Sequence, residues 1–190
     1  LFELIESGVE DEHGLEVNRA AFRRYRLMPR YLTDIATRDQ RTELFGQTYA
    51  SPFGIGPTGF AGLLRRGADI ALAEAAAAAD IPFILSGASV AGIEDVAKAA
   101  PGRVWSHIYP AKDEAITRRF MDRVRAAGVE CLVLTVHNPV YPRRERDIRN
   151  GFVLPLKLRL GMMLEAATHP GWVAEYLTSG GMPMMKSWQP

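Results

Sequence analysis

Between Ser51 and Val136 the apolar residues fall into short runs separated by longer stretches of helical character. Four of these runs, residues 52–57, 82–85, 104–108 and 132–136, are too short for helices, and each carries β-branched or aromatic residues. Each reads as a buried strand. Residues 69–79 and 91–100 are alanine-rich and helical in pattern, and the second is stopped by Pro101-Gly102. In a third helical stretch Ile116, Phe120 and Val124 recur every fourth position, with Asp113 as N-cap and Gly128 at the end. Strand–helix alternation of this kind predicts parallel βαβ units with right-handed crossovers.

Four such units are half of a (β/α)8 barrel, which takes about 250 residues. The expected fold is therefore α/β, a TIM barrel of which residues 1–190 carry the N-terminal part as a single domain. Residues 1–50 form its N-terminal segment, 51–136 its first four strands and helices, and 137–190 a long loop over the active site. Within the first segment, residues 1–8 read as the end of a helix and 9–13 as an acidic turn. Residues 18–30 read as a basic, aromatic surface-packing segment, and 31–47 hold a short strand pair. After Val136 no fifth unit follows, and 137–190 holds five of the seven methionines. A stretch this long is expected as a lid, a binding loop or an interrupted segment. Four units alone also leave an open sheet edge, which calls for a partner or further strands.

Composition narrows the choice mainly by exclusion. Lys+Arg 23 against Asp+Glu 22 gives a net charge of +1, so no bulk field recruits nucleic acid. One cysteine, Cys131, excludes an intramolecular disulfide and a cysteine-based zinc site, and fits a reducing compartment. The longest uncharged run, 44–64, contains five glycines and two prolines, so it is not a membrane span.

In a barrel the residues just past each strand meet on one face. Here those are Pro57-Thr58-Gly59, Ser86-Gly87, His107-Ile108-Tyr109 and Thr135. Four hydroxyls, an imidazole and a flexible turn suit a planar heteroaromatic ligand with alternating donors and acceptors. Gly59 permits close approach of a ring to the backbone. After the fourth strand the chain turns polar and basic, with Arg143-Arg144-Glu145-Arg146-Asp147. On spacing alone that cluster reads as a solvated charged face.

Several of these residues carry a resemblance. Gly56-Pro57-Thr58-Gly59, Ile81-Pro82-Phe83, Leu85-Ser86, Tyr109, Thr135-Val136, Arg143-Arg144-Glu145 with Asp147, and Asn150-Gly-Phe-Val-Leu-Pro155 resemble the FMN-dependent 2-hydroxy-acid oxidases and dehydrogenases. Ser7-Gly8 with Glu10-Asp11, and Asn18-Arg19 with Phe22, match the same family's N-terminal pattern, so the resemblance covers residues 1–155. It implies FMN at the mouth of a barrel. Pro57, Thr58 and Gly59 would face the isoalloxazine, and Ser86, His107 and Thr135 would contact its polar edge. Tyr109 would act catalytically by hydrogen-bonding the substrate near its reacting carbon. Arg144 would pair with the substrate carboxylate, which a guanidinium fork matches, and Gly59 would border the substrate. Gly59, where several oxidases have alanine, is similar to the mandelate dehydrogenase and lactate monooxygenase branches.

The chain departs from the family pattern at four places. Leu4 stands where a tyrosine helps hold the carboxylate, His107 where glutamine is usual, His137 where aspartate is usual, and Pro142 where glycine precedes the arginine pair. The resemblance further implies a lysine on a fifth strand, a histidine base, a second arginine and a phosphate site from the last strands. Lys186 and His169 stand in no matching motif for these roles.

The implied activity is oxidation of an L-2-hydroxy acid, of the lactate, mandelate or glycolate type, to the 2-oxo acid. The alternative is a flavin-binding or non-redox barrel protein without turnover. The implied partners are the hydroxy acid, an electron acceptor (oxygen, quinone or cytochrome) and further copies of the chain in a homo-oligomer such as a tetramer. No nucleic acid or metal is expected. Localisation is expected to be cytoplasmic or peripheral to the inner membrane, with residues 161–190 as the membrane-surface contact.

Overall fold

The structure is a computed structural model that describes residues 5–136, 140, 142–151, 160–178 and 185–188. The chain divides into two compact units. One comprises Leu1–Arg38 with Asn138–His169, the other Asp39–His137 with Pro170–Pro190.

The second unit opens with an antiparallel hairpin, β1 (Thr42–Leu44) and β2 (Gln47–Tyr49), the strand pair expected before the core. Its two-residue turn, Phe45-Gly46, takes positive φ at both positions, as a tight right-twisted hairpin requires. The parallel sheet follows, with β3 (Phe83–Leu85), β4 (Val104–Ile108) and β5 (Leu132–Leu134) in the order β3-β4-β5. The intervening helices are Ala68–Ala78, Ile93–Ala99 and Glu114–Ala126, all within one or two residues of the expected limits. Asp113 caps the third as its sequence implied, its carboxylate accepting from the Ala115 N–H at 2.8 Å.

Register explains which side chains go where. Phe83 pairs with Val104, Leu85 with Ser106, Ser106 with Leu132 and Ile108 with Leu134, so these residues share one face of the sheet. On that face Phe83, Leu85, Val104 and Ile108 form a buried cluster with Ala73, Ala76, Ile93, Val96, Phe120 and Val124 of the three helices. Alanine at 73 and 76 lets its helix approach the sheet closely. Each large member contributes about 1.5–3 kcal/mol of burial. The opposite face takes Ile84, Trp105, His107 and Val133.

Two strands differ from expectation. Residues 52–57 do not form a buried strand: only Ile55 bridges to Phe83, and Phe53 is 62% exposed. Ile55 donates to the Pro82 carbonyl and accepts from the Ile84 N–H. Pro52 and Pro57 lack an N–H, and no strand lies on the far side among the described residues, so pairing stops there. The last strand is not fully buried either, for Leu132 and Leu134 are 38% and 51% exposed. Both lie on the helix-facing side of an edge strand, and among the described residues no helix covers them.

From Pro170 onward, helix Pro170–Thr178 joins this unit. Trp172 Nε1 donates to the Leu63 carbonyl at 3.2 Å, and the Tyr176 hydroxyl donates to that of Gly62, both in the short helix Ala61–Leu64. Trp188 stacks on Phe120 with ring centroids 4.9 Å apart. No helix among the described residues is long and apolar enough to cross a membrane.

In the first unit, helix His13–Ala21 and a turn of 3-10 helix, Phe22–Arg24, follow the acidic turn. Phe22, Tyr25, Leu27 and Met28 are exposed rather than packed, so the surface-packing role expected of 18–30 finds no surface within this unit. Helices Glu145–Arg149 and Leu160–Ala167 complete it.

Candidate active site

The mouth expected from the sequence is built by the exits of β3, β4 and β5. Leu85 is paired with Ser106, which puts Ser86 and His107 next in register at adjacent exits. Thr135 follows β5, its N–H donating to the Ile108 carbonyl at 3.1 Å. Period-two alternation sends Ser86, His107, Tyr109 and Thr135 to the face opposite the helices.

The structure brings three of the expected site residues, His107, Tyr109 and Thr135, into direct contact. His107 Nε2 lies 2.5 Å from Thr135 Oγ1, and His107 Nδ1 accepts from the Gly87 N–H at 3.4 Å. The Tyr109 ring meets the His107 ring edge-on, with centroids 4.7 Å apart at 86°. Ser86 is buried at 5% exposure, and its oxygen accepts from the Ala88 N–H at 3.1 Å, which leaves its hydroxyl hydrogen to donate. His107 is also 5% exposed, and desolvation holds its imidazole below the usual pKa of 6.5, favouring the neutral ring.

The Pro57-Thr58-Gly59 turn is tied to this group through its neighbour Phe60, whose N–H donates to the Ala88 carbonyl at 3.0 Å. A Cβ on Gly59 would stand 3.3 Å from the Ala88 Cβ and 3.8 Å from Ser86 Oγ, so Gly59 borders the Ser86 turn. Pro57 and Thr58 are exposed on the same turn. A cavity of about 470 Å³, lined by Leu44, Tyr49, Trp105, Glu130 and Cys131 among others, opens at the strand starts rather than at these exits.

Arg144 belongs to the first unit and is not the solvated residue that spacing alone suggested. Its Nη2 donates to Ser7 Oγ at 2.7 Å and to the Ser7 carbonyl at 3.0 Å, and its Nε lies 2.7 Å from Asp147 Oδ2. Ser7 donates in turn to Asp147 Oδ1 at 3.0 Å, and both partners are buried. Arg146 pairs with Glu12 at 2.6 Å, binding the same short helix to the N-terminal turn. The supporting roles of Ser7 and Asp147 carry no local signal, since the two residues lie 140 positions apart. Trp188 was equally hidden: its Nε1 donates to the Gly87 carbonyl at 2.5 Å, fixing the turn beside Ser86. Lys186 lies in a 3-10 turn where its carbonyl accepts from Arg123, and His169 is exposed. Leu4 and His137 lie outside the described residues. Among the described residues no group of His, Cys, Asp and Glu could hold a metal ion.

Parallel strands joined by crossover helices, with polar residues at their carboxyl ends, match the first part of a (β/α)8 barrel. The match is specific at the level of family. The FMN-dependent dehydrogenase model matches residues 1–189, and the chain belongs to that family. It is 36% identical over 185 residues to (S)-mandelate dehydrogenase of Pseudomonas putida, covering 97% of this chain and 47% of that one. It is 40% identical over 172 residues to L-lactate dehydrogenase of Xanthomonas oryzae, covering 90% and 44%. A crystal structure of the monotopic membrane protein (S)-mandelate dehydrogenase superposes with a TM-score of 0.88 at 35% identity, covering 100% of this chain and 50% of that one. The chain thus spans about half the length of the curated relatives it matches.

FMN is the cofactor of this family, and the donor set here fits it. A buried hydroxyl without an acceptor among the described residues, a second hydroxyl and a glycine-bordered turn meet the needs of a flat ring with a polar edge.

Proposed function

We propose that this protein oxidises an L-2-hydroxy acid of the lactate or mandelate type to the corresponding 2-oxo acid. The observation that carries the reading is the delivery of Ser86, His107, Tyr109 and Thr135 to one mouth by successive parallel strands, in a chain of the FMN-dependent dehydrogenase family. When bound, FMN supplies the two-electron acceptor. Ser86 and Thr135 hold the polar edge of its ring, and Pro57, Thr58 and Gly59 lie along the ring, with Gly59 leaving room for the substrate. Tyr109 hydrogen-bonds the substrate hydroxyl. Arg144 takes the substrate carboxylate, its guanidinium kept in one orientation by Ser7 and Asp147. Residues 137–190, expected as a long loop of the same domain, carry helices Glu145–Arg149, Leu160–Ala167 and Pro170–Thr178 among the described residues.

Two features support further contacts. Helix Leu160–Ala167 exposes Leu160, Met163 and Leu164, an apolar surface that supports a membrane-surface contact through residues 161–190. The monotopic membrane relative supports the same reading, of a cytoplasmic protein peripheral to the inner membrane. The exposed Phe22, Tyr25 and Leu27 support assembly into a homo-oligomer.

The test of the activity is the visible spectrum of the purified holoprotein under anaerobic conditions. Addition of L-lactate or (S)-mandelate is expected to bleach the flavin bands. A bound flavin that keeps its spectrum with both acids overturns the reading.

A further inference from the structure

His107 is wedged between two partners of unequal chemistry. On one side the backbone N–H of Gly87 points at Nδ1, and a backbone N–H can only donate. Nδ1 is therefore the unprotonated nitrogen. The single proton of the neutral ring sits on Nε2, which lies 2.5 Å from Thr135 Oγ1 and donates to it. One lone pair of Thr135 is thereby occupied, and its own hydroxyl hydrogen must point away from the imidazole. Both ring nitrogens of His107 are used within the protein, and the residue is 5% exposed.

We infer that His107 is a positioning residue rather than a flavin contact. It acts through Thr135, fixing that hydroxyl as a donor directed into the mouth toward an acceptor atom on the flavin's polar edge. This rests on the reading of the strand exits as the flavin site. The low pKa that burial gives the imidazole keeps the arrangement neutral, since a second proton on Nδ1 would oppose the Gly87 N–H. The Gly87 peptide is held from its other end by Trp188 Nε1 on its carbonyl, so the N–H that selects the tautomer is itself fixed. Glutamine at position 107 would keep the logic, because its side-chain amide also offers one acceptor and a donor.

The experiment is a double-mutant cycle on FMN affinity in the full-length protein, read by quenching of free-flavin fluorescence. The variants are His107→Ala, Thr135→Ala, the double variant and His107→Gln. Thr135→Ala is expected to weaken FMN about tenfold, the loss of one hydrogen bond in a dry site. His107→Ala is expected to weaken it several-fold, the double variant no more than Thr135→Ala alone, and His107→Gln to restore most of the loss. The ¹⁵N shifts of His107 in the holoprotein give an independent readout and are expected to place the proton on Nε2. Additive losses in the cycle would mean that His107 touches the flavin directly, and a proton on Nδ1 would reverse the hydrogen-bond order. Either overturns the inference while leaving the flavin site standing. If neither single substitution changes FMN affinity, the flavin reading of these strand exits fails and the inference goes with it.

Discussion

Gly87 offers the sharpest test of how the site is built. A Cβ placed on it would lie 2.8 Å from the His107 carbonyl oxygen and 3.5 Å from Ile108 Cα. Both atoms belong to the backbone of β4, the central strand, which is paired on both sides and cannot yield by turning a side chain. Overpacking of one methyl against such a wall costs about 1–3 kcal/mol. Displacing Gly87 also stretches its N–H bond to His107 and its carbonyl bond from Trp188, each worth about 1 kcal/mol. Restriction of the unfolded chain by alanine returns only about 0.4–1 kcal/mol. Gly87→Ala should therefore destabilise the protein by about 2 kcal/mol. Gly59 is the control on the same face. There the added methyl would meet the Ala88 Cβ at 3.3 Å and Ser86 Oγ at 3.8 Å, which a shift of a few tenths of an ångström relieves. Gly59→Ala should change stability by less than about 1 kcal/mol. Urea unfolding followed by tryptophan fluorescence gives both values from the midpoint at unchanged slope. A Gly87→Ala variant within about 0.5 kcal/mol of the parent, or a Gly59→Ala variant that is the weaker of the two, would refute the packing argument.

Three further expectations follow from named groups. His107 has its folded pKa depressed by burial, so the unfolded chain takes up a proton near pH 6.5 that the folded chain refuses. Stability should fall as pH drops below that point, and His107→Gln should flatten this slope in urea titrations between about pH 7.5 and 5.5. Asp69 is 2% exposed, and burial raises its carboxyl pKa against a hydrogen bond from Ser89. Its contribution is complete at low pH and is lost as pH rises through the folded pKa, so Asp69→Asn should match or exceed the parent's stability at neutral pH; a clearly less stable variant would show that the carboxylate is used charged. Asp147→Asn weakens the hold on Arg144 without moving its other bonds to Ser7, and should raise KM for the hydroxy acid about fivefold with FMN affinity unchanged; equal loss of both would mean that the ion pair is purely structural.

What the sequence made legible was whatever repeats at short range. The three helices and the strands at 83–85 and 104–108 announced themselves through spacing, caps and Pro-Gly stops, and the structure keeps them. The polar exits were visible for the same reason, because a residue following a buried run in a βαβ unit has few other places to go. Burial of the outer strands was not legible. An apolar run such as residues 132–134 reads alike whether a helix covers it or not, and coverage depends on elements far along the chain. Contacts across more than a hundred residues were invisible for a related reason: Ser7 with Asp147, Tyr176 with Gly62 and Trp188 with Gly87 depend on packing that no local pattern encodes.

Core and site are nevertheless one solution to one constraint. The alternation that turns Phe83, Leu85, Val104 and Ile108 toward the helices obliges Ile84, Trp105 and His107 to face the other way. Ser86 and Thr135 continue the same count past the ends of their strands. A slip of one residue in the pairing of β3 with β4 would turn Val104 and Ile108 away from Ile93 and Phe120, and would send His107 into the apolar cluster. Burying a polar ring there without partners costs several times what a lost surface contact costs. The hydrophobic face therefore enforces the register, and the register places the Nδ1 and Nε2 atoms of His107 between Gly87 and Thr135. Thus the geometry of the proposed flavin edge is guarded by residues that never touch a ligand, and substitutions at Val104 or Ile108 should perturb it as surely as substitutions at the mouth.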